Sequence, residues 1–286
     1  MKKNYFLILV LVSCSCLYSQ PISYFSKIGI ENTYNSNVLK LSSDDISKFK
    51  DGENPDKFKI DTIDDLITSA RCEFGVKHRF LTGHTQIDKI VLKYNKFWSN
   101  EIKDDGYIGF EVKQFFSKRL NVALNYFYYP RIYLNQYKSV LDNESKYRDF
   151  TYSKNVYNAR IFWKVKTKIH LNYRFEFSQL YYNKYFTEYD ADNIESVIGL
   201  NFNTADWVKL GIRYSYKISD ADAEDAFENP ETVNVIKDVS YESDIYYCSF
   251  TFPEILILFS KPVNFSSNFR LENRFYQSRE IGDDYH

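Results

Sequence analysis

The sequence has no excess of charge of either sign, because 37 Lys and Arg residues are set against 38 Asp and Glu residues in 286. Proteins that bind nucleic acid carry a basic excess or a basic stripe, so a nucleic-acid partner is not expected. Beyond the N-terminus no stretch reaches the roughly 18 consecutive apolar residues of a membrane-spanning helix, and the mean hydropathy is −0.46. A helical membrane protein is therefore excluded.

Cysteine is scarce, with four in the chain. Cys14 and Cys16 fall within the first 20 residues, and no pair has the CxxC spacing of a metal site. Cys72 and Cys248 remain, each on the apolar parity of a predicted strand, where a thiol behaves as a small apolar group. Neither a disulfide framework nor a cysteine metal site is predicted.

Aromatic residues, by contrast, are abundant, since 26 Tyr and 24 Phe bring the aromatic share to 19%. Tyrosine favours strands and the boundary between water and apolar surroundings. With 44% hydrophobic residues, the chain is also too apolar for intrinsic disorder. The composition predicts a folded protein rich in strands.

The first 19 residues have the pattern of a secretory signal peptide: two lysines, an apolar run at 5–12, then small and polar residues with a plausible cut near Ser19. The run is too short to span a bilayer. Residues 11–14 also resemble a lipoprotein processing box that would lipidate Cys14, which is the less favoured interpretation. We expect export, followed by one domain over residues 20–286.

Eleven segments show the period-two pattern of β-strands. In IHLNYRFEFSQLYYN at 169–183, Ile169 and Leu171 fall on one parity and His170 and Asn172 on the other, so one side is apolar and the other polar. Most segments exceed the roughly 5–6 residues usual in soluble proteins and approach the roughly 9–11 of a tilted membrane strand. The predicted strands are 27–37, 66–79, 86–98, 106–116, 120–133, 152–164, 168–182, 194–203, 207–218, 242–252 and 263–277.

The connections between predicted strands alternate in length. Turns such as 117–119 are short, whereas 38–65, with a short helix predicted at 44–50, and 219–241 are long and acidic. Outer-membrane barrels have short periplasmic turns and long external loops, and a soluble sandwich gives no reason for this alternation. The segment 253–262 departs from it, being ten residues where a short turn is expected.

Glycines within the predicted strands share the polar parity, which suggests that they leave room for large charged neighbours. A strand glycine can also mark a bulge, but bulges do not explain a shared side. These glycines are Gly29, Gly75, Gly109, Gly199 and Gly211.

Charged and aromatic residues complete the predicted pattern of an apolar outer face and a wet inner wall. Aromatic girdles at the two membrane interfaces are predicted from Trp98, Tyr128, Trp163, Tyr181, Tyr182, Trp207 and Tyr216. The predicted lumen-lining residues are Arg71, Glu73, Lys77, Glu111, Lys113, Asn125, Arg131, Asn158, Arg160, Asn172, Arg174, Glu176, Arg213, Lys217, Arg270, Glu272 and Arg274. Mixed signs allow cross-strand pairing, and the excess of Lys and Arg would favour anions weakly.

With its signal peptide, alternating strands, unequal loops and aromatic girdles, the chain resembles the bacterial outer-membrane β-barrel class, porin-like in the broad sense. The resemblance covers the whole mature chain and rests on pattern. It implies an all-β, antiparallel, up-and-down transmembrane barrel of the Gram-negative cell envelope. It also implies the outer-membrane assembly machinery and the lipid and lipopolysaccharide of that membrane as partners. The sequence LYSQ and the Tyr-, Asn- and Lys-rich composition resemble Bacteroidetes-type proteins.

The strand count departs from this class. Bacterial single-chain barrels have an even number of strands, whereas eleven are found here and the final residues, REIGDDYH, look like the start of an external loop. Either one strand is miscounted or the chain is a fragment that lacks strand twelve. We favour the fragment, and expect about twelve strands in the complete barrel.

No catalytic motif is found, and no cofactor is predicted. Histidines at 78, 84 and 170 occupy ordinary polar positions, and GxSxG, HExxH and phosphate-loop patterns are absent. Carboxylates at alternating positions in the loop 219–241 are weak candidates for calcium ligands, although a solvated, charge-rich external loop is the favoured explanation. These candidates are Asp220, Asp222, Glu224 and Asp225.

Three functions remain open. The leading hypothesis is a passive channel for small polar solutes through a charged lumen. The second is a barrel whose lumen is closed by its own Arg and Glu pairs and which serves as a surface structural or adhesion protein through its loops. The third is a secreted soluble β-sandwich that binds glycans. The sequence does not select a solute or an oligomeric state.

Overall fold

Eleven strands form one antiparallel sheet in sequence order in the computed structural model, which describes residues 22–81, 83–138, 146–205, 208–222, 240–258 and 261–276. The strands are β1 (Ser23–Asn35), β2 (Asp65–Phe80), β3 (His84–Phe97), β4 (Asp105–Phe115), β5 (Leu120–Lys138), β6 (Tyr147–Lys166), β7 (Ile169–Tyr182), β8 (Ala191–Ala205), β9 (Val208–Ala221), β10 (Tyr241–Leu258) and β11 (Lys261–Tyr276). The eleven predicted strands and the all-β, antiparallel up-and-down fold are confirmed.

The connections alternate strictly in length, so the sheet has a loop end and a turn end. At the turn end, strands are joined across 81–83, 116–119, 167–168, 206–207 and 259–260, and at the loop end across 36–64, 98–104, 139–146, 183–190 and 222–240. The prediction of a ten-residue connection at 253–262 was wrong. Strands β10 and β11 both extend into this segment. A register shift between Phe252 and Leu256 breaks the period-two pattern there, so the pattern did not reveal these parts of the strands.

The two faces of the sheet invert the usual arrangement of a soluble protein. Leu124 and Ile212 on the apolar face are each 50% exposed, whereas Asn125 and Ser215 on the polar face are 6% and 1% exposed. The described strands belong to one sheet, so no second sheet covers these polar residues. Neighbouring side chains on the same face bury them, which places the polar face on the concave side of a curved wall.

Two of the strand glycines receive aromatic rings from the neighbouring strand. Gly75 pairs with Phe25, and a Cβ on Gly75 would lie 2.2 Å from the Phe25 ring. Gly109 pairs with Phe127, whose ring lies 2.5 Å from the same position. The predicted role of these glycines is therefore corrected, because the space they leave is filled by rings. At Gly199 an arginine side chain does lie in ordinary contact.

The edge strands β1 and β11 are not paired with each other in the described part of the chain. Both sides of β1 are exposed over nearly its whole length, as expected of a strand with one neighbour. The prediction of a twelfth strand stays a prediction.

The connection 36–64 folds into a small cap at the loop end. Its helix α1 (Ser43–Lys50) begins after Ser42, whose Oγ accepts a hydrogen bond from the Asp45 amide at 3.1 Å. This confirms the predicted helix. The side chains of Leu41, Phe58 and Ile60 are buried together. Of the described helices, none is long and apolar enough to cross a membrane.

Asn100 joins the cap to the next connection at the loop end. Its side chain is 1% exposed, and its Oδ1 accepts the amides of Asp61 and Thr62 at 2.9 and 3.2 Å. Asp65, at the start of β2, accepts the amides of Ser99 and Asn100 at 3.0 and 2.8 Å. From there the cap follows the rim as far as β6, where Lys59 Nζ lies 3.1 Å from Asp149 Oδ1. Buried polar groups with this many partners hold a connection in one conformation.

Strand β7 offers a test of which face meets lipid. Phe175 is 37% exposed on the convex face, and Asn172 lies on the concave face beside it. A lysine in the lipid-facing wall costs roughly 2–4 kcal/mol at mid-membrane, and much less on the lumen side. We therefore expect Phe175→Lys to reduce the folded fraction in lipid vesicles sharply, and Asn172→Lys to leave it near that of the wild type. The mobility shift of folded protein on unheated gels measures this fraction, and the reverse order would contradict the assignment.

Candidate functional site on the concave face

A row of directly paired polar side chains crosses the concave face from β3 to β11. We call it the central row, and its members are Lys89, Glu111, Asn125, Asn158, Glu176, Glu195, Lys217, Ser243 and Arg274. Three members are basic and three are acidic, so the row carries no net formal charge. An uninterrupted polar row of this length at mid-wall provides hydrogen-bonding groups from β3 to β11.

On β2 to β4 the row is held by ion pairs that share partners. Lys89 Nζ lies 3.5 Å from Glu73 Oε2 and 3.4 Å from Glu111 Oε1. The guanidinium of Arg71 lies 2.7 Å from Glu73 Oε1 and donates to the Tyr107 hydroxyl at 3.0 Å. These four charges alternate in sign, so each acid has a basic neighbour and the side chains remain against the wall.

The middle of the row depends on Arg174. Glu176 and Glu195 are direct cross-strand partners, an arrangement in which like charges repel. Arg174 lies 2.8 Å from Glu195 Oε2 and 3.8 Å from Glu176 Oε2. Asn158 donates to Glu176 at 3.2 Å, and Ser215 donates to Glu195 at 2.7 Å. One guanidinium therefore compensates two facing carboxylates, with neutral donors completing their hydrogen bonds.

On β9 to β11 the basic side chains lie over tyrosine rings. The guanidinium groups of Arg213 and Arg270 lie 5.5 and 5.7 Å from the Tyr247 ring centre, and the three residues are direct cross-strand neighbours. Lys217 and Arg274 lie 4.9 and 4.5 Å from the ring centre of Tyr241. Each tyrosine thus holds two cations by cation–π attraction, which leaves their charge in place.

Between the central row and the turn end the concave face is strongly basic. We call these residues the basic band: Lys77, Arg79, Lys113, Arg160, Lys164, Arg174, Lys209, Arg213 and Arg270. Among the described side chains of that region Glu272 is the acidic counterpart, and it is shared by Arg270 and Arg274. Nine cations against one carboxylate leave a large positive excess in this half of the wall.

A cleft of about 620 Å³ opens from the basic band at the turn end. Lys77, Arg79, His84 and Lys118 line it, together with apolar side chains such as Phe115. No acidic residue is among the described residues that line it. A concave surface with charge of one sign concentrates the field and the opposite ions.

Buried ionisable groups also lie at the loop end, in the connection 183–190. Burial raises the pKa of Glu188, whose Oε2 has no hydrogen-bond partner among the described residues. Burial also raises the pKa of Asp190, although its Oδ1 accepts the Tyr182 amide at 2.5 Å. In the connection 98–104 at the same end, burial lowers the pKa of Lys103, whose Nζ donates to the Tyr133 carbonyl at 2.8 Å.

The structure places most of the predicted lumen residues on the concave face. Arg131 is different, because it lies at a register shift near the end of β5. It is exposed and donates to the Ile102 carbonyl at 3.2 Å, in the connection between β3 and β4. A bulge inserts a residue and changes the side to which the following side chains point. Arg131 is therefore corrected to a residue of the loop-end rim.

Five predicted girdle residues lie on or beside the convex face, Trp163 near the turn end and the others near the loop end: Trp98, Tyr128, Trp163, Tyr181 and Tyr216. Tyr182 was assigned wrongly. Adjacent strand residues point to opposite faces, and the Tyr182 ring packs 5.0 Å from that of Tyr152 on the concave side. Trp207 lies outside the described residues.

Sequence reasoning missed four residues that organise the concave face: Lys89, Glu195, Tyr241 and Tyr247. Each has the parity of the polar side in its strand, so parity alone could have found it. Parity does not reveal which side chains face each other, and the facing acids and the cation–tyrosine groups depend on that register.

The candidate metal ligands do not form a site within the described residues, where no three His, Cys, Asp or Glu side chains are close enough to hold a metal ion. Asp220 and Asp222 belong to this part of the chain, while Glu224 and Asp225 lie outside it. On the convex face near the turn end, His78 Nε2 lies 2.7 Å from Asp88 Oδ2, and Gln86 donates to the same carboxylate.

Removal of Arg174 tests its role between the two acids. Arg174→Gln leaves Glu176 and Glu195 facing each other, and a like-charge cross-strand pair is unfavourable by about 0.2–1 kcal/mol. We expect the urea midpoint of Arg174→Gln at pH 7 to be lower than that of the wild type. Arg174→Lys, which keeps the charge, is the control. Equal midpoints for Arg174→Gln and wild type at pH 7 would contradict this role.

Glu188 gives the connection 183–190 a dependence on pH. Because its pKa is raised in the folded protein, the folding of this connection is most favourable below the ordinary glutamate pKa and weakens as the pH rises through the raised value. We expect Glu188→Gln to increase hydrogen-exchange protection of the Tyr189 and Asp190 amides at pH 7 and to weaken its pH dependence. Glu53→Gln, at an exposed site in the cap, is the control. Unchanged protection factors would contradict the prediction.

Comparison with solved structures shows a structural likeness to an outer membrane protein. No family model and no curated protein matches the chain. Among solved structures, OmpTdeltaL8, the loop L8 deletion mutant of OmpT, an outer membrane protein of Vibrio cholerae, is similar with a TM-score of 0.41 and 8% sequence identity. The match covers 91% of this chain and 100% of that chain. A TM-score this low does not support an inference about fold or function. The fold and the site are inferred from the strand pairing and side chains of this chain.

Proposed function

We propose that this protein is a bacterial outer-membrane β-barrel that acts as a passive channel for small polar solutes through a charged lumen. The observation that carries the proposal is the inversion of polarity between the two faces. Large apolar side chains such as Phe74 and Phe269 are at least half exposed on the convex face, while Asn125 and Ser215 are buried on the concave face. A lipid environment outside and water inside favour this arrangement.

The dimensions of the strands and the unequal connections support the same proposal. The described strands run from 11 to 20 residues, enough for a tilted strand to cross the roughly 30 Å hydrocarbon layer. Short connections at one end and long ones at the other match periplasmic turns and external loops. We accordingly assign the turn end to the periplasm, and expect lipid, lipopolysaccharide and the assembly machinery as partners.

The concave face offers solutes what a water-filled channel requires. From β3 to β11 the central row supplies hydrogen-bond donors and acceptors and charges of both signs, so a polar solute can exchange hydrogen bonds with water for hydrogen bonds with the wall. Apolar solutes gain nothing there. Nothing in this mechanism requires covalent chemistry or a cofactor, and we propose no enzymatic activity.

A closed barrel with a structural or adhesive role at the cell surface is the second candidate. It is supported by the charged side chains of the wall, which pair with one another. Arg174 binds both facing acids, and Lys89 binds Glu73 and Glu111. The ordered cap of residues 36–64 would then be the surface that meets other molecules. A soluble glycan-binding sandwich is not favoured, since a sandwich needs two packed sheets and the described strands form one.

Conductance of the refolded, full-length protein in planar bilayers separates these candidates. We expect stepwise, ohmic currents in potassium chloride if the lumen is open. Insertion is checked separately by the gel mobility of folded protein in vesicles. The variant Phe175→Lys, expected not to insert, is the matched control and should give no steps. Inserted wild-type protein that carries no current would overturn the channel and support the closed barrel.

A further inference from the structure

We propose that the basic band selects small anions, such as chloride, phosphate and simple carboxylates, as the solutes of this channel. The inference rests on the proposed function and names the solute class of the same lumen. It starts from the position of the charges, because the positive excess is confined to one part of the wall.

The central row and the basic band differ in how their charges are compensated. In the central row, basic and acidic residues are equal in number, and Lys89 forms an ion pair with Glu111. The two facing acids of the row, Glu176 and Glu195, are paired with Arg174 of the basic band. In the basic band, Lys77, Arg79 and Lys113 have no ion pair with any described residue. A solute that passes the wall therefore meets a neutral polar zone and, toward the turn end, a zone of uncompensated positive charge.

Tyrosine partners keep this charge available. A carboxylate beside Arg213 would hold the side chain but cancel its field, and the carboxylate beside Arg270, that of Glu272, is shared with Arg274. The Tyr247 ring holds both guanidinium groups, at 5.5 and 5.7 Å from its centre, and adds no formal charge. Arginine side chains fixed in this way form a pre-arranged binding surface for anions.

The cleft at the turn end extends the same surface to the mouth of the lumen. Lys77, Arg79 and Lys118 line its 620 Å³ with no described acidic residue among them. Rings of Arg and Lys favour anions in pores, and a concave basic surface raises the local concentration of anions. The volume admits small hydrated anions and does not require a specific ligand shape.

The test is the reversal potential of full-length protein in planar bilayers under a potassium chloride gradient. We expect the wild type to favour chloride over potassium. The double variant Arg213→Gln/Arg270→Gln should lower the permeability ratio of chloride to potassium by a factor of about 2 or more, because two of the nine positive charges of the basic band are lost from the lumen. The matched control removes two charges outside the lumen, Lys48→Gln/Lys96→Gln, and should leave the ratio unchanged.

The possible results are distinct. Absence of current in the inserted wild type overturns the channel itself. Current with no preference for chloride, or an unchanged ratio in the double variant, overturns the anion selectivity and leaves the channel standing. If the double variant does not insert, Lys77→Gln/Lys113→Gln replaces it, since neither lysine takes part in an ion pair with a described residue. A lower ratio in that variant supports the proposal, and an unchanged ratio overturns it.

Discussion

The register between neighbouring strands is the constraint on which this sheet depends. Side chains alternate between faces with a period of two, so a slip of one residue would send the central row to the convex face and the exposed aliphatic residues to the lumen. Every pairing from β1 to β11 joins strands that are adjacent in sequence. Each hairpin therefore sets the register for the strand that follows. The central row is continuous because no register shift falls within it.

The charges on the concave face show two ways of placing basic side chains on a wall. Near the central row, arginine and lysine bind carboxylates, which removes repulsion such as that between Glu176 and Glu195 and makes the wall neutral. On β9 to β11, Tyr241 and Tyr247 hold cations between them. The first arrangement neutralises the wall, whereas the second leaves an excess of positive charge, because Arg270 and Arg274 share the carboxylate of Glu272. Their separation along the lumen gives the two ends of the protein different electrostatic character.

Much of this could be predicted from the sequence because strand length, period and parity are local properties. All eleven strands, the helix α1 and most residues of the concave face follow from them. The predictions failed where the structure depends on more than the local sequence. Bulges near Arg131 and after Phe252 interrupt the period, and Tyr182 was grouped with its neighbour although adjacent residues cannot share a face. The roles of Lys89 and Glu195 depend on which residues lie opposite, which only strand pairing reveals.

The rings over Gly75 and Gly109 also determine the free cross-section of the lumen. Phe25 and Phe127 lie against the wall because the glycine opposite each has no Cβ, and a methyl group at either position would overlap the ring. Displaced from the wall, each ring would project toward the axis and obstruct the path on that side. The absence of a Cβ at Gly75 and Gly109 thus allows the rings of Phe25 and Phe127 to lie against the wall. In the proposed channel, the width open to a solute would therefore depend in part on residues that the solute does not contact.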